Sequence, residues 1–304
     1  MARDSSGKPI LRKLGTVDCD MVETTPVVFH GRLYRFEYVR DRYYKPNSTG
    51  ASYFRFVDME TGAFTPAFAR GYHLGSAHAQ GDTMYVYGVP AWDGPSVQVF
   101  WSRDLEQWKE RVALGTPGWG LFNTSVCQGQ GGMFVMAVEI GRPPEEAGVP
   151  FTVRFALSAD LLDWQLTPSD RVYSREKYTA CPALRWFEPW YYMIYLEAYP
   201  RSPAGAEYKT HIVRSRDLVH WEPSRFNPIL EHSDEDKRIA SKAIGAAERE
   251  RIRGIVNVNN SDVDLCEWRG RTVLFYSWGT QKGDEFLAQA EYDGPLQELL
   301  EGYF

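Results

Sequence analysis

Two short stretches of the 304-residue sequence, VDCDMVETTP and NNSDVDLCEW, each carry three carboxylates within ten residues. The carboxylates are Asp18, Asp20 and Glu23 in the first stretch and Asp262, Asp264 and Glu267 in the second. Carboxylates that face each other across a pocket can cleave a glycosidic bond, because one protonates the leaving oxygen while the other activates water or attacks the anomeric carbon. Crowding of like charges raises the pKa of one carboxyl, which then supplies the acid near neutral pH.

Two further acids, Glu139 and Glu197, end strand-like runs in MAVEIGRPP and YLEAYP. The pattern favours Glu23 or Asp20 as the base, either Asp262 or Asp264 as the second carboxylate, and Glu197 as the acid. The same oxygen-rich cluster could instead hold Ca²⁺, which prefers oxygen ligands. Apart from this possible Ca²⁺, the sequence predicts no cofactor.

Aromatic and polar side chains near these acids predict a sugar ligand, since a flat apolar face stacks on a sugar ring while polar groups bind its hydroxyls. The predicted substrate-binding residues are Arg40, His73, Trp119, Asn123, Tyr178, Trp278 and Gln281. His73 could act as an acid, a base or a metal ligand. The sequence contains no G-x-S-x-G elbow, phosphate-binding loop or dinucleotide-binding glycine pattern.

The elements that position these residues come from a repeat. The motif Ser-x-Asp-Leu-x-x-Trp occurs as SRDLEQW at 102–108, SADLLDW at 158–164 and SRDLVHW at 215–221. Its Ser and Asp can hold a turn by bonding to nearby backbone N–H groups. A hairpin with a Tyr/Phe-rich second strand precedes each copy, and weaker copies lie near Asp58 and Asp293. The hairpin turns carry a glycine, except that Glu188-Pro189 replaces it before the copy at 215–221. The repeat predicts an all-β fold, a five-bladed propeller of four-stranded antiparallel blades.

The first strand of each blade lines the central channel of a propeller, so we expect the functional residues where those strands begin. Counting eight residues back from the turn glycines locates these starts. The positions are Glu23, His73, Asn123 and Asp262, with Thr179 or Ala180 for the fourth blade. Polar residues from distant parts of the chain would then meet at one mouth.

One segment interrupts the repeat, and one segment can complete it. Residues 233–253, which begin at Ser233 and are rich in Ala, Glu, Lys and Arg, predict a short helical insertion before blade five. The strand-like PILRKL at 9–14 could pair with the last blade and close the ring, because an open ring would leave a sheet edge exposed. We expect one propeller domain over residues 1–304.

The composition of the sequence limits the classes of partner that we expect for the protein. The formal net charge of −6 argues against nucleic acid, which requires a basic face. No apolar run is long enough for a membrane span, and the N-terminus lacks the apolar segment of a signal peptide. Four scattered cysteines predict reduced thiols. We therefore expect a cytoplasmic protein that acts on a small carbohydrate and that could form a homo-oligomer.

The corner motifs and hairpins resemble those of the five-bladed propeller glycoside hydrolases, namely families 43, 32 and 117 and the mannoside phosphorylases of family 130. The resemblance covers residues 15–295 and implies that the carboxylate starting blade one, here Glu23, is the base or nucleophile. Those enzymes often have an Asp in blade two and an acid Glu in blade three, where this chain has His73 and Asn123. The resemblance therefore implies a separate branch in which another residue supplies the acid. Glu139, Glu197, either aspartate of NNSDVDLCEW, or His73 as in family 117, could do so.

Three functions remain open at this point. The first is a glycoside hydrolase that cleaves a small glycoside or oligosaccharide. The second is a glycoside phosphorylase, for which Arg40, Arg70 and His73 are the candidate phosphate ligands. The third is a non-catalytic carbohydrate-binding propeller, which the missing blade-three Glu would favour.

Overall fold

The strands of the protein form five antiparallel sheets arranged in a ring. The computed structural model describes residues 3–40, 52–199, 207–280 and 282–304. Blade one contains β2 (Thr24–Phe29), β3 (Arg32–Val39) and β4 (Tyr53–Asp58); blade two contains β5 (His73–Gln80), β6 (Thr83–Val89), β7 (Ser96–Ser102) and β8 (Lys109–Gly115). Blade three contains β9 (Gly120–Gln128), β10 (Phe134–Arg142), β11 (Thr152–Ser158) and β12 (Gln165–Leu166); blade four contains β13 (Ala183–Phe187), β14 (Trp190–Tyr199), β15 (Glu207–Ser215) and β16 (Trp221–Pro223). Blade five contains β17 (Asn259–Trp268), β18 (Arg271–Gly279), β19 (Glu285–Tyr292) and β1 (Arg12–Cys19).

This arrangement confirms the predicted five-bladed propeller. The inner strands β2, β5, β9, β13 and β17 contact one another around the central channel. Blade one departs from the four-stranded pattern, because its outer edge consists of two isolated bridges, Phe54–Phe68 and Val57–Phe64, in place of a regular fourth strand.

The N-terminal strand closes the ring. β1 pairs antiparallel with β19, with Arg12 opposite Glu291 and Cys19 opposite Phe286. The first and last parts of the chain thus share blade five, and the outer edge of β19 is covered. This pairing confirms the expectation from PILRKL, although the strand begins at Arg12.

The three corner motifs form the same turn. In the second copy the Ser158 hydroxyl oxygen accepts bonds from the N–H groups of Asp160 (3.2 Å) and Leu161 (2.9 Å). The Asp160 carboxylate then accepts bonds from the N–H groups of Leu162 and Asp163, both at 2.9 Å. Leu161 has a positive φ of 68°, which is unfavourable for a leucine, but its side chain is buried. Burying a leucine stabilises by about 2 kcal/mol, which offsets a backbone cost of about 1–2 kcal/mol.

We expect Ser158→Ala to lower the free energy of unfolding by about 1–2 kcal/mol, because two N–H groups at a buried turn lose their acceptor. Chemical denaturation of the variant, compared with Ser169→Ala at an exposed serine on the same blade, measures this cost. The motif lies at the outer corner of the blade, so any ligand-dependent function should be unchanged. An unchanged stability would contradict the turn role of the motif.

The predicted insertion contains two short helical elements, a 3-10 helix at Asp234–Lys237 and α2 at Ala246–Gly254. Two other helices, α1 (Pro144–Ala147) and α3 (Leu296–Glu301), are short, and a single 3-10 turn covers Gln130–Gly132. In the part of the chain that is described, every helix falls short of the length and apolar character that spanning a bilayer would demand.

Aromatic layers between neighbouring blades form much of the core. Phe54 contacts Phe36 and Phe100 edge-on, with ring centroids 5.2 and 6.2 Å apart. The inner strand β5 approaches this layer at Gly75, where a Cβ atom would lie 2.6 Å from the Phe36 ring. The packing of aromatic rings between blades one and two therefore determines how close the inner strand β5 lies to blade one.

Candidate active site

The inner strands of all five blades contribute to one small cavity at the mouth of the channel. Its lining includes Glu23 before β2, Ser76 on β5, Asn123 on β9, Cys181 before β13 and Asp262 on β17. Its volume is about 40 Å³, which admits water, and it opens to solvent.

Irregular backbone at the strand starts aims these side chains at the channel. The pairing of β17 with β18 shifts between Ser261 and Asp264, and Asp262 has a φ of 52°. The pairing of β5 with β6 shifts in the same way between His73 and Ser76. Such bulges re-aim a side chain at the cost of one ladder pair, and they are frequent beside active sites.

Glu23 lies buried at the cavity with Asp262 nearby. Burial and the charge of Asp262 raise the pKa of Glu23 to about 7, and the Arg40 guanidinium opposes that rise. Only 7% of Glu23 is exposed, so the neutral acid is the favoured form below that pH. A buried carboxyl that holds its proton near neutrality can donate it to a substrate oxygen.

Asp262 is held by the Ser277 hydroxyl, which in turn is bonded to the Ser261 hydroxyl. The Ser277 hydroxyl donates to the Asp262 carboxylate at 2.9 Å, and the Ser261 and Ser277 hydroxyls lie 2.5 Å apart. Both serines are fully buried. The carboxylate thus faces the cavity from a fixed position on β17.

A third carboxylate, Glu139 on β10, lies behind the cavity wall. Its carboxylate accepts bonds from the Asn123 side-chain amide at 3.0 Å and from the Cys181 N–H at 2.9 Å. Burial raises the pKa of Glu139 to about 7, although both hydrogen bonds favour the charged form. Glu139 therefore fixes Asn123 and Cys181, which themselves line the cavity.

Three of the acids predicted to be catalytic have other partners. Asp20 is exposed and forms a two-pronged ion pair with Arg251 at 2.6 and 2.9 Å. Asp264 lines the lower edge of the cavity but is ion-paired with Arg185. Glu197 lies on β14, where it accepts a bond from Tyr195 at 3.2 Å and contacts Lys177 at 3.5 Å.

The predicted substrate-binding residues separate into those near the cavity and those packed elsewhere. Asn123 lines the cavity, and Tyr178 is close enough for Cys181 and Glu139 to add to the rise in its pKa that burial causes. Trp278 is fully buried, with its indole N–H bonded to Thr16 at 3.0 Å. Gln281 lies outside the described residues.

The remaining predicted side chains lie around blades one to three. The His73 ring is buried and its Nδ1 lies 2.8 Å from the Tyr38 hydroxyl, so it faces blade one. Burial and the nearby Arg40 lower the pKa of His73. Arg40 lies over the rings of Tyr38 and Trp92, and Trp119 packs against Arg154.

Residue counting missed two members of the site. Cys181 takes the blade-four position that counting assigned to Thr179 or Ala180, because Glu188-Pro189 replaces the turn glycine there and the count was only approximate. Ser76 takes the place of His73 at the cavity because the bulge in β5 shifts the inner strand. Within the ranges described, no group of three or more His, Cys, Asp and Glu side chains is arranged to hold a metal ion.

The four cysteines are free thiols, and burial raises the pKa of each. The pKa of Cys127 rises to about 12. Since the thiolate is the reactive form, we expect native Cys181 and Cys127 to react with a disulfide reagent at least about 100-fold more slowly at pH 7.5 than in denaturant. A fast native reaction assigned to Cys181 by peptide mapping would contradict this.

Comparison with known proteins identifies structures of the same fold. No family model matches the sequence, and no curated protein is similar to it. The structure is similar to a mutant GH43 protein from Bacillus licheniformis (TM-score 0.60, 13% identity), covering 91% of this chain and 53% of that chain. The chain thus spans about half the length of that protein.

Two other solved structures match over nearly their whole length. One is an exo-1,5-alpha-L-arabinanase from a bovine ruminal metagenomic library (TM-score 0.59, 11% identity, 90% of this chain and 93% of that chain). The other is an alpha-L-arabinanase of Cellvibrio cellulosa complexed with arabinohexaose (TM-score 0.56, 11% identity, 95% and 98%). At these identities the likeness establishes that the chain has the five-bladed propeller fold of these proteins.

Proposed function

We propose that the protein is a glycoside hydrolase in which Glu23 is the proton donor and Asp262 is the base. The observation that carries this proposal is that the buried Glu23 carboxyl, whose pKa burial and Asp262 raise to about 7, lines one cavity together with Asp262. Two carboxyls with different proton affinities on either side of a reacting centre are what glycoside cleavage needs. The solved structures of the same fold include enzymes named as arabinanases, which supports a sugar substrate.

The size of the cavity supports a role for water. Its volume of about 40 Å³ admits the attacking water, and the glycosidic bond would lie in the open space above it. Glu23 would protonate the leaving oxygen while Asp262 takes a proton from the water that attacks the anomeric carbon. This route inverts the anomeric configuration, and a retained configuration in the first-formed product, followed by NMR, would contradict the role of water.

Asn123 replaces a blade-three acid in this scheme. Its side-chain amide donates to Glu139, which leaves its carbonyl oxygen to accept a bond from a substrate hydroxyl. Glu139 then acts as a positioning residue, because it touches Asn123 and is not part of the cavity lining. The scheme uses no metal, so we propose that activity persists in EDTA.

The test is a panel of aryl arabinofuranosides, xylopyranosides and other glycosides, each assayed with and without phosphate. Hydrolysis that does not depend on phosphate supports the proposal. Turnover only with phosphate would indicate a phosphorylase. Binding of an oligosaccharide without any turnover, and unaffected by Glu23→Gln and Asp262→Asn, would indicate a non-catalytic propeller.

The rate of hydrolysis should fall as the pH rises above about 7, because Glu23 must carry its proton to act as the acid. A profile of kcat/KM against pH, measured with a glycoside of poor leaving group, should have an alkaline limb near that value. The limb should disappear with a dinitrophenyl glycoside, whose leaving group needs no proton. An alkaline limb shared by both substrates would assign the titration to another step.

A further inference from the structure

A buried ion pair joins the ring-closing strand to the insertion before blade five. The Lys13 ammonium on β1 lies 2.8 Å from the Asp236 carboxylate in the 3-10 helix, and neither residue is more than 9% exposed. Lys13 also donates to the Glu231 carbonyl at 2.6 Å, and Tyr276 donates to Asp236 at 2.8 Å. The pair is therefore well hydrogen-bonded, as a buried pair must be.

The Lys13–Asp236 ion pair is also hydrogen-bonded to the inner strand of blade five. The side chain of Asn260 accepts a bond from Lys13 at 3.0 Å and donates to Asp236 at 3.1 Å. Its backbone carbonyl accepts a bond from Thr210 of blade four at 3.3 Å. Asn260 is fully buried, so its position depends on all three contacts.

Backbone hydrogen bonds also join the insertion to β1. The Thr16 N–H donates to the Arg238 carbonyl at 2.7 Å, and the Ala240 N–H donates to the Thr16 carbonyl at 2.8 Å. Gly15 allows this approach, because a Cβ atom there would lie 2.2 Å from the Arg238 carbonyl oxygen. The segment of the insertion around Asp236 is therefore held against blade five and does not form a separate flap.

We propose that Lys13, Asp236 and Asn260, which we name the blade-five clasp, are positioning residues for Asp262. Asn260 precedes Asp262 by two residues, and Ser261 between them holds the Ser277 hydroxyl that bonds to Asp262. Any shift of β17 at Asn260 moves this serine pair and with it the carboxylate. This inference rests on the proposed function only in giving Asp262 a catalytic role.

A purely stabilising role is the competing explanation. Buried ion pairs contribute little net stability, because the cost of removing two charges from water offsets most of their attraction. Their directional bonds do define a geometry, and here the bonds converge on the strand that carries Asp262. A measurement of site geometry, and not of stability alone, separates the two roles.

The test follows the Glu23 carboxyl by NMR titration of carbon-13-labelled glutamate, with its signal assigned by its loss in Glu23→Gln. Asp262 raises the pKa of Glu23, so displacing Asp262 should lower that pKa. We expect Asp236→Asn and Lys13→Met to lower the pKa of Glu23 by about half a unit or more. We also expect kcat for hydrolysis to fall about 10-fold while KM stays within about 3-fold.

Arg12→Gln is the matched control, because Arg12 is the neighbour of Lys13 on β1 and its exposed ion pair with Glu291 also joins β1 to β19. It should leave the pKa of Glu23 and kcat unchanged. Lys13→Arg, which keeps the charge, should recover part of the loss. If the single variants do not fold, the double variant Lys13→Met/Asp236→Leu removes both charges together. We expect the same decreases in the pKa of Glu23 and in kcat for this double variant.

An unchanged pKa of Glu23 in folded clasp variants would overturn the proposal, whatever their stability. A lowered pKa in a protein that hydrolyses no glycoside would instead support the clasp and count against the proposed function. The titration needs no turnover, so the two failures are distinguishable.

Discussion

Glu23→Gln and Asp262→Asn are each expected to lower kcat/KM at least about 10³-fold on a glycoside with a poor leaving group. Glutamine cannot protonate the leaving oxygen, and asparagine cannot accept a proton from the attacking water. Both substitutions keep the size of the side chain, and both remove a carboxyl from the cavity. Loss of activity in folded variants would therefore reflect lost chemistry.

The leaving group separates the two roles. A dinitrophenyl glycoside needs no acid, so Glu23→Gln should recover most of its activity on that substrate, whereas Asp262→Asn should not. Asp163→Asn, at an exposed acid paired with Arg111, is the control and should retain wild-type rates. If Asp262→Asn were the variant that recovers, the acid and base assignments would be reversed. If neither substitution lowered the rate, the catalytic acids would lie elsewhere.

Glu139→Gln is expected to raise the free energy of unfolding at alkaline pH. The folded-state pKa of Glu139 is about 7, against an ordinary value of 4.5. Between pH 4.5 and 7 the folded protein therefore keeps a proton on Glu139 that the unfolded chain has released. The contribution of this group to the free energy of unfolding is complete below pH 4.5 and is lost as the pH rises through 7. Above pH 7 the ionised, buried carboxylate costs up to about 3 kcal/mol, which glutamine would not incur.

Denaturation of wild type and Glu139→Gln at a series of pH values measures this effect. The difference in stability should be small near pH 4, should grow between about pH 4.5 and 7, and should be constant above. Glu145→Gln, at an exposed acid in the first turn of α1, should show no such pH dependence. A difference that is independent of pH would mean that Glu139 titrates normally. A stabilised variant with slower hydrolysis would indicate that the buried charge is kept for positioning Asn123.

Much of the fold could be predicted from local patterns, because a propeller repeats one local unit. The Ser-x-Asp-Leu-x-x-Trp copies form the turns that their hydrogen-bonding groups predict, and the turn glycines Gly31, Gly81 and Gly270 have positive φ. The outer edge of blade one was not predictable in this way. Of its two isolated bridges, the one at Phe68 is accompanied by packing against Phe54 and Phe56, while the exposed Phe64 contacts Arg55, and neither lies in a strand-like pattern.

The blade repeat, the ring closure and the polar residues at the strand starts could be predicted from the sequence, because turn chemistry and strand alternation are local properties. The sequence named Glu23, Asn123 and Asp262 at the cavity for that reason. Which carboxylates meet there depends on contacts between blades. Bulges at the strand starts change which side chain faces the channel, since a one-residue shift sends a side chain to the opposite face. Asp20 and Asp264 form ion pairs with Arg251 of the insertion and Arg185 of the neighbouring blade four, and no local pattern encodes those contacts.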